Sequence, residues 1–319
     1  MALPIGDTIG ILADNLRLRK SVLPISSGSA TAWARGLGLP RGGETVLYTG
    51  LMYQLIPYIT AMSAFQEKIE DSPLAGMIGL GRLANRVVNI SAFMARPPAA
   101  LKERYNRVLR DIAGLLRAAG VNFGYLYGEE LYSGALIYDL GEDDLFAAHA
   151  RRVYDTFRKH GVKEVITVDP HTTNMLRSVY PSLLPGYDLK VASYLEVLAR
   201  ADLKPVRALD SELVLHDSCV YARYENVLDP QRLLLTRAGC AVREPEEAGR
   251  FTHCCGGPAE SLFPKKARKV AGERVEQLRA AGKTGVTMCP ICLVNLQKAS
   301  GESLELRDIS GYLARAYAG

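Results

Sequence analysis

The same order of predicted strands and helices occurs twice along the chain, and this repeat limits the fold more than any other feature. The spacing is similar in both halves, since 35 residues separate Ser133 from Asp169 and 33 separate Cys255 from Cys289. Strands that alternate with helices predict parallel sheets. The expected fold is therefore α/β, with two tandem pseudo-symmetric domains whose short parallel sheets are flanked by helices. Three pairs of segments align: 46–50 with 214–218, 131–134 with 253–256, and 167–172 with 287–292.

The repeat divides the chain into a polar, turn-rich lead-in at residues 1–43, a first domain at 44–185 and a second domain at 186–319. The elements predicted in the first domain are strands at 44–50, 121–127 and 164–168 and helices at 53–69, 77–96, 99–119 and 142–160. Those predicted in the second domain are strands at 213–216, 240–244 and 285–288 and helices at 230–238 and 264–281.

Charge and hydropathy exclude several classes of protein. The formal net charge is only +5, and Lys and Arg are spread among Asp and Glu, so we expect no nucleic-acid partner. The most apolar long window, 74–94, contains Arg82 and Arg86, and a charge at a helix centre costs roughly 2.5–3.5 kcal/mol to insert, so no membrane span is predicted. The N-terminus lacks the pattern of a secretory signal, so we expect a cytoplasmic protein with reduced thiols.

All six cysteines lie in the last third of the chain, and the first 218 residues contain none. Without Cys240, their spacing is C-x34-CC-x33-C-x2-C. Adjacent cysteines do not easily pair with each other, and a C-P-x-C turn after a strand directs two sulfurs to one point, so the pattern predicts a metal site. Thiolates suit zinc or an iron–sulfur cluster, and a fifth ligand favours the cluster because structural zinc sites close at four.

The residues beside the cysteines suggest how such a site is supported. Gly256 and Gly257 follow the cysteine pair and allow backbone N–H groups to approach the sulfurs. His216 and His253 lie three residues and one residue before cysteines. We interpret both histidines either as hydrogen-bond donors in the surroundings of the metal or as purely structural residues.

Three motifs resemble the cysteine-rich CCG domain of the heterodisulfide reductase family, whose members usually carry two tandem copies. The resemblance covers about residues 44–298, and the lead-in is similar to the segment that precedes this domain in the D-type members of that family. It implies two CCG-type α/β domains. The motifs are His216-Asp217-Ser218-Cys219, Cys254-Cys255-Gly256-Gly257-Pro258 and Cys289-Pro290-Ile291-Cys292.

An intact motif in this family holds a non-cubane [4Fe-4S] cluster through five cysteines. The resemblance implies that this chain holds one such cluster and that redox chemistry on a disulfide or thiol substrate takes place there, with Cys254 and Cys255 as catalytic residues. Cys240 matches no position of the motif and is interpreted as an incidental buried thiol. The implied ligands are Cys219, Cys254, Cys255, Cys289 and Cys292.

The first copy of the motif is degenerate, so a second cluster is not expected. One hypothesis is that Asp169 and His171 bind a metal, and the alternative is that Asp169 caps a helix while His171 is solvated. A further hypothesis is that Tyr132, Ser133, Asp169 and His171 line a substrate pocket. The residues that stand where thiolates would be are Gly50, Tyr132, Ser133, Asp169 and Thr172.

The chain lacks the C-x2-C-x2-C-x3-C-P motif of ferredoxins, so electrons must come from another subunit. We expect a ferredoxin-like iron–sulfur subunit and a flavin-binding subunit as partners, with any membrane contact made only through them. The segment 64–100, which lengthens the first copy, is the candidate for docking that partner, or is internal core.

Three functions remain open at this point. The first is an iron–sulfur oxidoreductase subunit of a heterodisulfide reductase-like complex, which transfers electrons to or from a disulfide or thiol. The second is a non-catalytic electron relay in a flavoprotein oxidase or a quinone-linked complex. The third is a scaffold stabilised by zinc.

Overall fold

The computed structural model describes residues 5–70 and 96–318. The helices in this part of the chain are α1 (Ile5–Arg19), α2 (Ser27–Ala30), α3 (Met52–Glu70), α4 (Ala99–Ala118), α5 (Ala135–Asp139), α6 (Asp143–Lys159), α7 (Pro170–Asn174), α8 (Tyr180–Leu183), α9 (Tyr194–Arg200), α10 (Asp229–Arg237), α11 (Pro264–Ala281), α12 (Pro290–Ser300) and α13 (Ile309–Tyr317). The strands are β1 (Thr45–Tyr48), β2 (Glu164–Thr167), β3 (Lys190–Ser193), β4 (Glu212–Leu215), β5 (Ala241–Arg243), β6 (Thr284–Thr287) and β7 (Glu305–Asp308).

The strands form two parallel sheets with matching order. Within the described residues, one sheet has the order β1-β2-β3 and the other has the order β5-β4-β6-β7. Helices flank both sheets, so the predicted α/β class with short parallel sheets is confirmed. The helices predicted at 53–69, 99–119, 142–160, 230–238 and 264–281 are present with ends that differ by at most one residue.

Strand pairing agrees with the predicted alignment of 46–50 with 214–218, but it corrects which residue of the first half corresponds to Cys219. Val46 pairs with Val165, and Val214 pairs with Gly285, which occupies the same position of the second copy as Val165 does in the first. Residue 46 therefore corresponds to residue 214. It follows that Leu51, and not Gly50, stands at the position of Cys219.

The first sheet extends past the boundary predicted after residue 185. Strand β3 pairs with β2 along its whole length, from Glu164 opposite Lys190 to Thr167 opposite Ser193. Strand β7 pairs with β6 in the same way in the second sheet. The chain therefore passes from one sheet to the other between Ser193 and Glu212.

The strand predicted at 121–127 is wrong. Only two isolated bridges form there, Gly124 with Val46 and Tyr125 with Arg41. Gly124 packs so tightly that a Cβ atom built on it would lie 1.8 Å from the carbonyl oxygen of Gly42. The backbone therefore touches the edge of β1 at one place and then turns away, and β5 occupies the corresponding edge in the second half.

The lead-in is more regular than predicted, because α1 is a helix of 15 residues. Leu12 and Leu16 are buried in the same hydrophobic core as Val46 and Val165 of the first sheet. The apolar residues Ile9, Leu12 and Leu16 recur at helical spacing, which the number of turn residues in this segment obscured.

Helix α4 joins the two halves. Its residues Leu109 and Ile112 are fully buried in a core that also contains Leu213 and Leu293 of the second half. The helix predicted at 77–96 and most of the segment 64–100 lie outside the described residues. In the part of the chain that is described, every helix is too short or too polar to cross a bilayer.

Two buried tyrosines cross between the halves in a reciprocal way. The Tyr53 hydroxyl donates to Asp308 Oδ2 at 2.6 Å, and the Tyr221 hydroxyl donates to Ser193 Oγ at 2.8 Å. Asp308 ends β7 and caps α13, while Ser193 ends β3 and caps α9. Each half thus supplies a tyrosine to the strand end of the other, as expected for a pseudo-twofold arrangement.

The two tyrosines give a prediction about stability. We expect Tyr53→Phe to lower the free energy of unfolding by about 2 kcal/mol, because it removes a hydrogen bond to a buried carboxyl group. Tyr221→Phe should lower it by only about 1 kcal/mol, because its acceptor is a neutral hydroxyl. Urea unfolding of both variants measures the difference, and a larger loss for Tyr221→Phe would contradict the prediction.

Candidate metal centre

Five cysteines meet where the strands β4 and β6 end. Cys219 begins a helical turn four residues after the end of β4, and Cys289 lies two residues after the end of β6 and stands at the N-cap of α12. Cys292 lies in the first turn of α12, and Cys254 and Cys255 lie on the irregular segment that precedes α11. The carboxyl ends of parallel strands are the usual place for a site in such sheets.

The sulfur atoms of these residues, called the five thiols from here on, form one continuous set of hydrogen-bonding contacts. Cys219 contacts Cys254, which contacts Cys255. Cys255 contacts Cys292, which contacts Cys289. The structure therefore brings together all five predicted ligands.

The protons in this set are shared unequally. The hydrogen bonds from Cys219 and Cys255 lower the pKa of Cys254 to about 2. The pKa of Cys289 is also well below its usual value, because hydrogen bonds from Cys292 and His171 outweigh burial. The lowered pKa values favour the thiolate form of Cys254 and Cys289. Thiolates are the form that binds soft metals.

Cys240 lies elsewhere. It is buried immediately before β5, its backbone N–H donates to the Leu235 carbonyl, and burial raises its pKa. The charged groups that influence it are Arg315 and Asp210, and none of the five thiols is among them.

The loop that carries Cys219 is fixed by a buried carboxylate. Asp217 is completely buried and accepts two hydrogen bonds from Arg232, at 2.9 and 2.7 Å, and one from the Gly249 N–H at 2.8 Å. The Thr252 hydroxyl donates to the Asp217 carbonyl at 3.0 Å. Asp217 therefore ties the end of β4 to the segment that leads into Cys254.

His216 is held by a buried arginine that the sequence analysis missed. Arg274 Nε donates to His216 Nδ1 at 3.0 Å, and both side chains are buried. Burial, reinforced by the Arg274 cation, lowers the pKa of His216 to about 3, so the ring is neutral. Because Nδ1 accepts, the single ring proton must lie on Nε2.

Nε2 of His216 has no hydrogen-bond partner among the described residues, although it is buried. His216 offers a ring nitrogen within 4.8 Å of the sulfurs of Cys255 and Cys292. With Nδ1 occupied by Arg274, the ring has an N–H group left to offer and no free lone pair. In this tautomer, therefore, His216 has an N–H group to donate near the thiols and no lone pair with which to bind a metal.

Arg274 also holds the segment of chain that leads to Cys254 and Cys255. Its Nη1 donates to the Glu247 carbonyl at 2.8 Å and to Gln277 Oε1 at 2.7 Å. The signal in the sequence was a cation on the apolar face of the helix 264–281, between Ala271 and Leu278. A charge at such a position is buried only when it has partners.

Two glycines let the backbone approach the sulfurs closely. Gly256 has a φ of +78°, and a Cβ atom on it would lie 2.3 Å from the Ala267 carbonyl oxygen. Its N–H donates to Cys254 Sγ at 3.3 Å. A Cβ atom on Gly257 would lie 2.2 Å from Ile291 Cγ2 and 3.3 Å from Cys255 Sγ, so neither position has room for a side chain.

The second histidine named in the sequence analysis has different surroundings. His253 Nδ1 lies 3.2 Å from Glu247 Oε2, and Nε2 lies 3.7 Å from Glu273 Oε2. Each ring nitrogen of His253 therefore has a carboxylate within 4.0 Å, whereas Nε2 of His216 has no charged or hydrogen-bonding partner among the described residues.

His171 comes from the first half and contacts Cys289. Burial disfavours its charged form, but the hydrogen bond and charge of Cys289, together with Asp169, raise its pKa to about 9. Asp169 caps α7 by accepting from the Thr172 N–H at 3.0 Å, as one of the two interpretations expected. His171 is not solvated in the way that interpretation supposed, because it reaches across to the second half.

The place in the first half that corresponds to the five thiols is filled by protein atoms. A Cβ atom on Gly50 would lie 2.3 Å from Thr172 Oγ1 and 3.0 Å from Ser133 Cβ. Ser133, Asp169 and Thr172 are all completely buried. These residues pack against one another within the part of the chain that the structure describes.

An apolar cavity of about 120 Å³ lies beside the metal centre, on the side of the first half, and is lined by residues next to the cysteines but by none of the five cysteines themselves. Tyr132 and His171 line it, together with Gly257 and Ile291 from the second half. Two of the four residues predicted to line a pocket are thus in its wall. Ser133 and Asp169 are not, since they are buried behind it.

A family model described as the CCG cysteine-rich domain matches residues 213–297. EtfAB:quinone oxidoreductase of Syntrophomonas wolfei is 31% identical over 233 residues, which are 67% of this chain and 32% of that protein. Probable iron-sulfur-binding oxidoreductase FadF of Bacillus subtilis is 30% identical over 229 residues, 68% of this chain and 32% of FadF.

A probable membrane-anchored ferredoxin of Chromohalobacter salexigens is 29% identical over 228 residues, which are 67% of this chain and 34% of that protein. The chain spans about a third of the length of the curated relatives it matches. The matched domain contains all of the five thiols as well as His216 and Arg274. These matches confirm the predicted CCG family, and residues 213–297 of this chain are its cysteine-rich domain.

Proposed function

We propose that the five thiols hold one [4Fe-4S] cluster, of the non-cubane kind, and that the chain is an electron-relay unit of a larger flavoprotein-linked or quinone-linked oxidoreductase. The observation that carries the proposal is the continuous contact of Cys219, Cys254, Cys255, Cys289 and Cys292 at the ends of two strands. The names of the relatives, an EtfAB:quinone oxidoreductase and an iron-sulfur-binding oxidoreductase, support the relay.

The donor set fits such a cluster better than it fits zinc. Five soft sulfur donors in one place exceed the four of a closed tetrahedral zinc site. When bound, an iron–sulfur cluster accepts and releases single electrons at a potential set by its surroundings. The zinc scaffold therefore leaves one of the five thiols without a role.

The other residues of the site influence the reduction potential of the bound cluster. The Gly256 N–H donates to Cys254, and His216, whose Nε2–H has no partner among the described residues, has a ring nitrogen within 4.8 Å of the sulfurs of Cys255 and Cys292. Hydrogen bonds to sulfur favour the more negative, reduced state. Arg274 fixes the tautomer of His216 and so keeps this donor in place.

A second candidate function is the reduction of a disulfide, or its reverse, with Cys254 and Cys255 at the reacting centre. The observation that favours it is the apolar cavity, whose wall includes His171 and Gly257 beside the five thiols. In that case His171, with its raised pKa, is placed to give a proton to a released thiolate.

Addition of a disulfide to the reduced, cluster-loaded protein distinguishes the two functions. We expect the electron paramagnetic resonance spectrum to stay unchanged when oxidised glutathione or coenzyme A disulfide is added, because a relay offers no reaction at the metal. A new paramagnetic signal, with one thiol released for each electron consumed, would contradict the relay and establish the second function. The Cys240→Ser variant is the control, since Cys240 is the cysteine outside the site.

The relay also needs partners. We infer a ferredoxin-like iron–sulfur subunit or domain and a flavin-binding subunit, in agreement with the electron-transfer names of the relatives. Contact with a membrane would be made through such a partner.

A further inference from the structure

A groove with a cavity volume of about 670 Å³ lies between α4 and the pair formed by β7 and α13. We call it the arginine groove, because five arginines line it. Three of them come from α4 in the first half and two come from the second half, so the groove exists only where the halves meet. They are Arg104, Arg107, Arg110, Arg307 and Arg315.

The arginine groove carries an excess of positive charge. Three carboxyl groups line it, Asp111, Glu305 and Asp308, against the five arginines. Arg307 is paired with Glu305 and Arg110 with Glu103, but among the side chains that the structure describes neither Arg104 nor Arg107 has a carboxylate within 4.0 Å.

The floor of the arginine groove contains residues that are close neighbours of the metal centre. Leu293 lines the groove and is bonded to Cys292 through one peptide link. Asp308 also lines it and accepts from the Tyr53 hydroxyl, whose oxygen is 3.5 Å from the carbonyl oxygen of Met288, the residue before Cys289. Cys292 is therefore linked to the floor through its neighbour Leu293, and Cys289 is linked to it through Met288, Tyr53 and Asp308.

The geometry favours a large partner over a small anion. Arg104, Arg107, Arg307 and Arg315 are exposed, and their side chains stand around an open depression rather than enclosing a pocket. Exposed charges of one sign steer and orient a protein of opposite charge, whereas tight binding of a small phosphate needs buried and converging donors.

We propose that the arginine groove is the docking surface for an acidic electron-carrier protein that exchanges single electrons with the metal centre. This inference rests on the proposed relay function and names the place and the charge of its partner. The docked carrier loses one electron and the metal centre gains it. No covalent bond is formed or broken, and no proton is transferred. The predicted docking segment 64–100 ends where α4 begins, and the arginines of α4 lie beyond it.

Stopped-flow reduction of the cluster-loaded protein by fully reduced flavodoxin, an acidic flavin carrier, tests the proposal. We expect the second-order rate constant to fall at least about tenfold between low and high salt, as for other steered encounters. In the variant Arg104→Glu/Arg107→Glu the low-salt rate should fall by a similar factor and lose most of its salt dependence.

The matched control is Arg152→Glu/Arg158→Glu, which makes the same change in net charge on α6, outside the arginine groove. Its rate should stay within about twofold of the unmodified protein. Equal rates for the two variants would overturn the proposal, and so would failure of flavodoxin to reduce a cluster that dithionite reduces.

Two further measurements separate the possible failures. Iron and sulfide analysis of each sample shows whether the proposed relay function itself fails. If iron is absent, calorimetric titration with oxidised flavodoxin still tests the arginine groove, and binding that only Arg104→Glu/Arg107→Glu weakens would support it. Stoichiometric binding of pyrophosphate without binding of flavodoxin would overturn it in favour of a small phosphate ligand.

Discussion

Replacement of Cys255 by serine should abolish cluster binding. Cys255 is buried in the middle of the contact chain, between Cys254 and Cys292, and serine offers a hard oxygen in place of a soft thiolate. After anaerobic reconstitution we expect iron to fall from about four atoms per chain to less than about one. Metal analysis and the visible absorption spectrum measure this loss.

The control for this prediction is Cys240→Ser, which removes a buried thiol that none of the five contacts. It should bind as much iron as the unmodified protein. Full iron binding by Cys255→Ser would remove Cys255 from the ligand set and would contradict the proposed site.

The second large effect is expected at His216. Replacing it with phenylalanine keeps a ring of similar volume but removes the unpartnered N–H group of a side chain that has a ring nitrogen within 4.8 Å of the sulfurs of Cys255 and Cys292. Since hydrogen bonds to sulfur stabilise the reduced state, the reduction potential of the cluster should become roughly 50 mV more negative. Protein-film voltammetry or a redox titration followed by electron paramagnetic resonance measures the shift.

Two further variants separate this effect from a structural one. His216→Gln keeps an N–H donor and an acceptor for Arg274, so its reduction potential should lie between those of His216→Phe and the unmodified protein. His253→Phe removes a histidine whose nitrogens face Glu247 and Glu273, so it should leave the potential unchanged. Equal potentials for His216→Phe and the unmodified protein would show that the histidine serves only in packing.

The spacing of the cysteines was enough to predict which thiols meet, because each lies at a position that the strand ends determine. Cys289 and Cys292 follow β6, and Cys219 follows β4, so parallel pairing of these strands brings their ends together. The α/β repeat was predictable for the same reason, since helices and strands alternate at clear boundaries such as Gly120 and Gly239, both in the left-handed region.

What the sequence could not predict depends on contacts between distant segments. His171 reaches Cys289 across the two halves, and a local interpretation of its turn left it in solvent. Arg274 is 58 residues from His216 in the chain, and its burial depends on partners at His216 and Glu247.

The predicted strand at 121–127 failed for a related reason. Its residues have high strand propensity, but Gly124 and Tyr125 touch the edge of the first sheet at isolated bridges only. The close packing of Gly124 against Gly42 turns the chain away, and propensity does not report such packing.

The central claim is that the five thiols hold an iron–sulfur cluster. The most direct test is iron, sulfide and zinc analysis of the protein purified and reconstituted without oxygen, combined with electron paramagnetic resonance of its oxidised and reduced forms. The proposed site predicts about four iron and four sulfide per chain, with a paramagnetic [4Fe-4S] signal in one redox state. Colourless protein that contains one zinc per chain and no sulfide would contradict it.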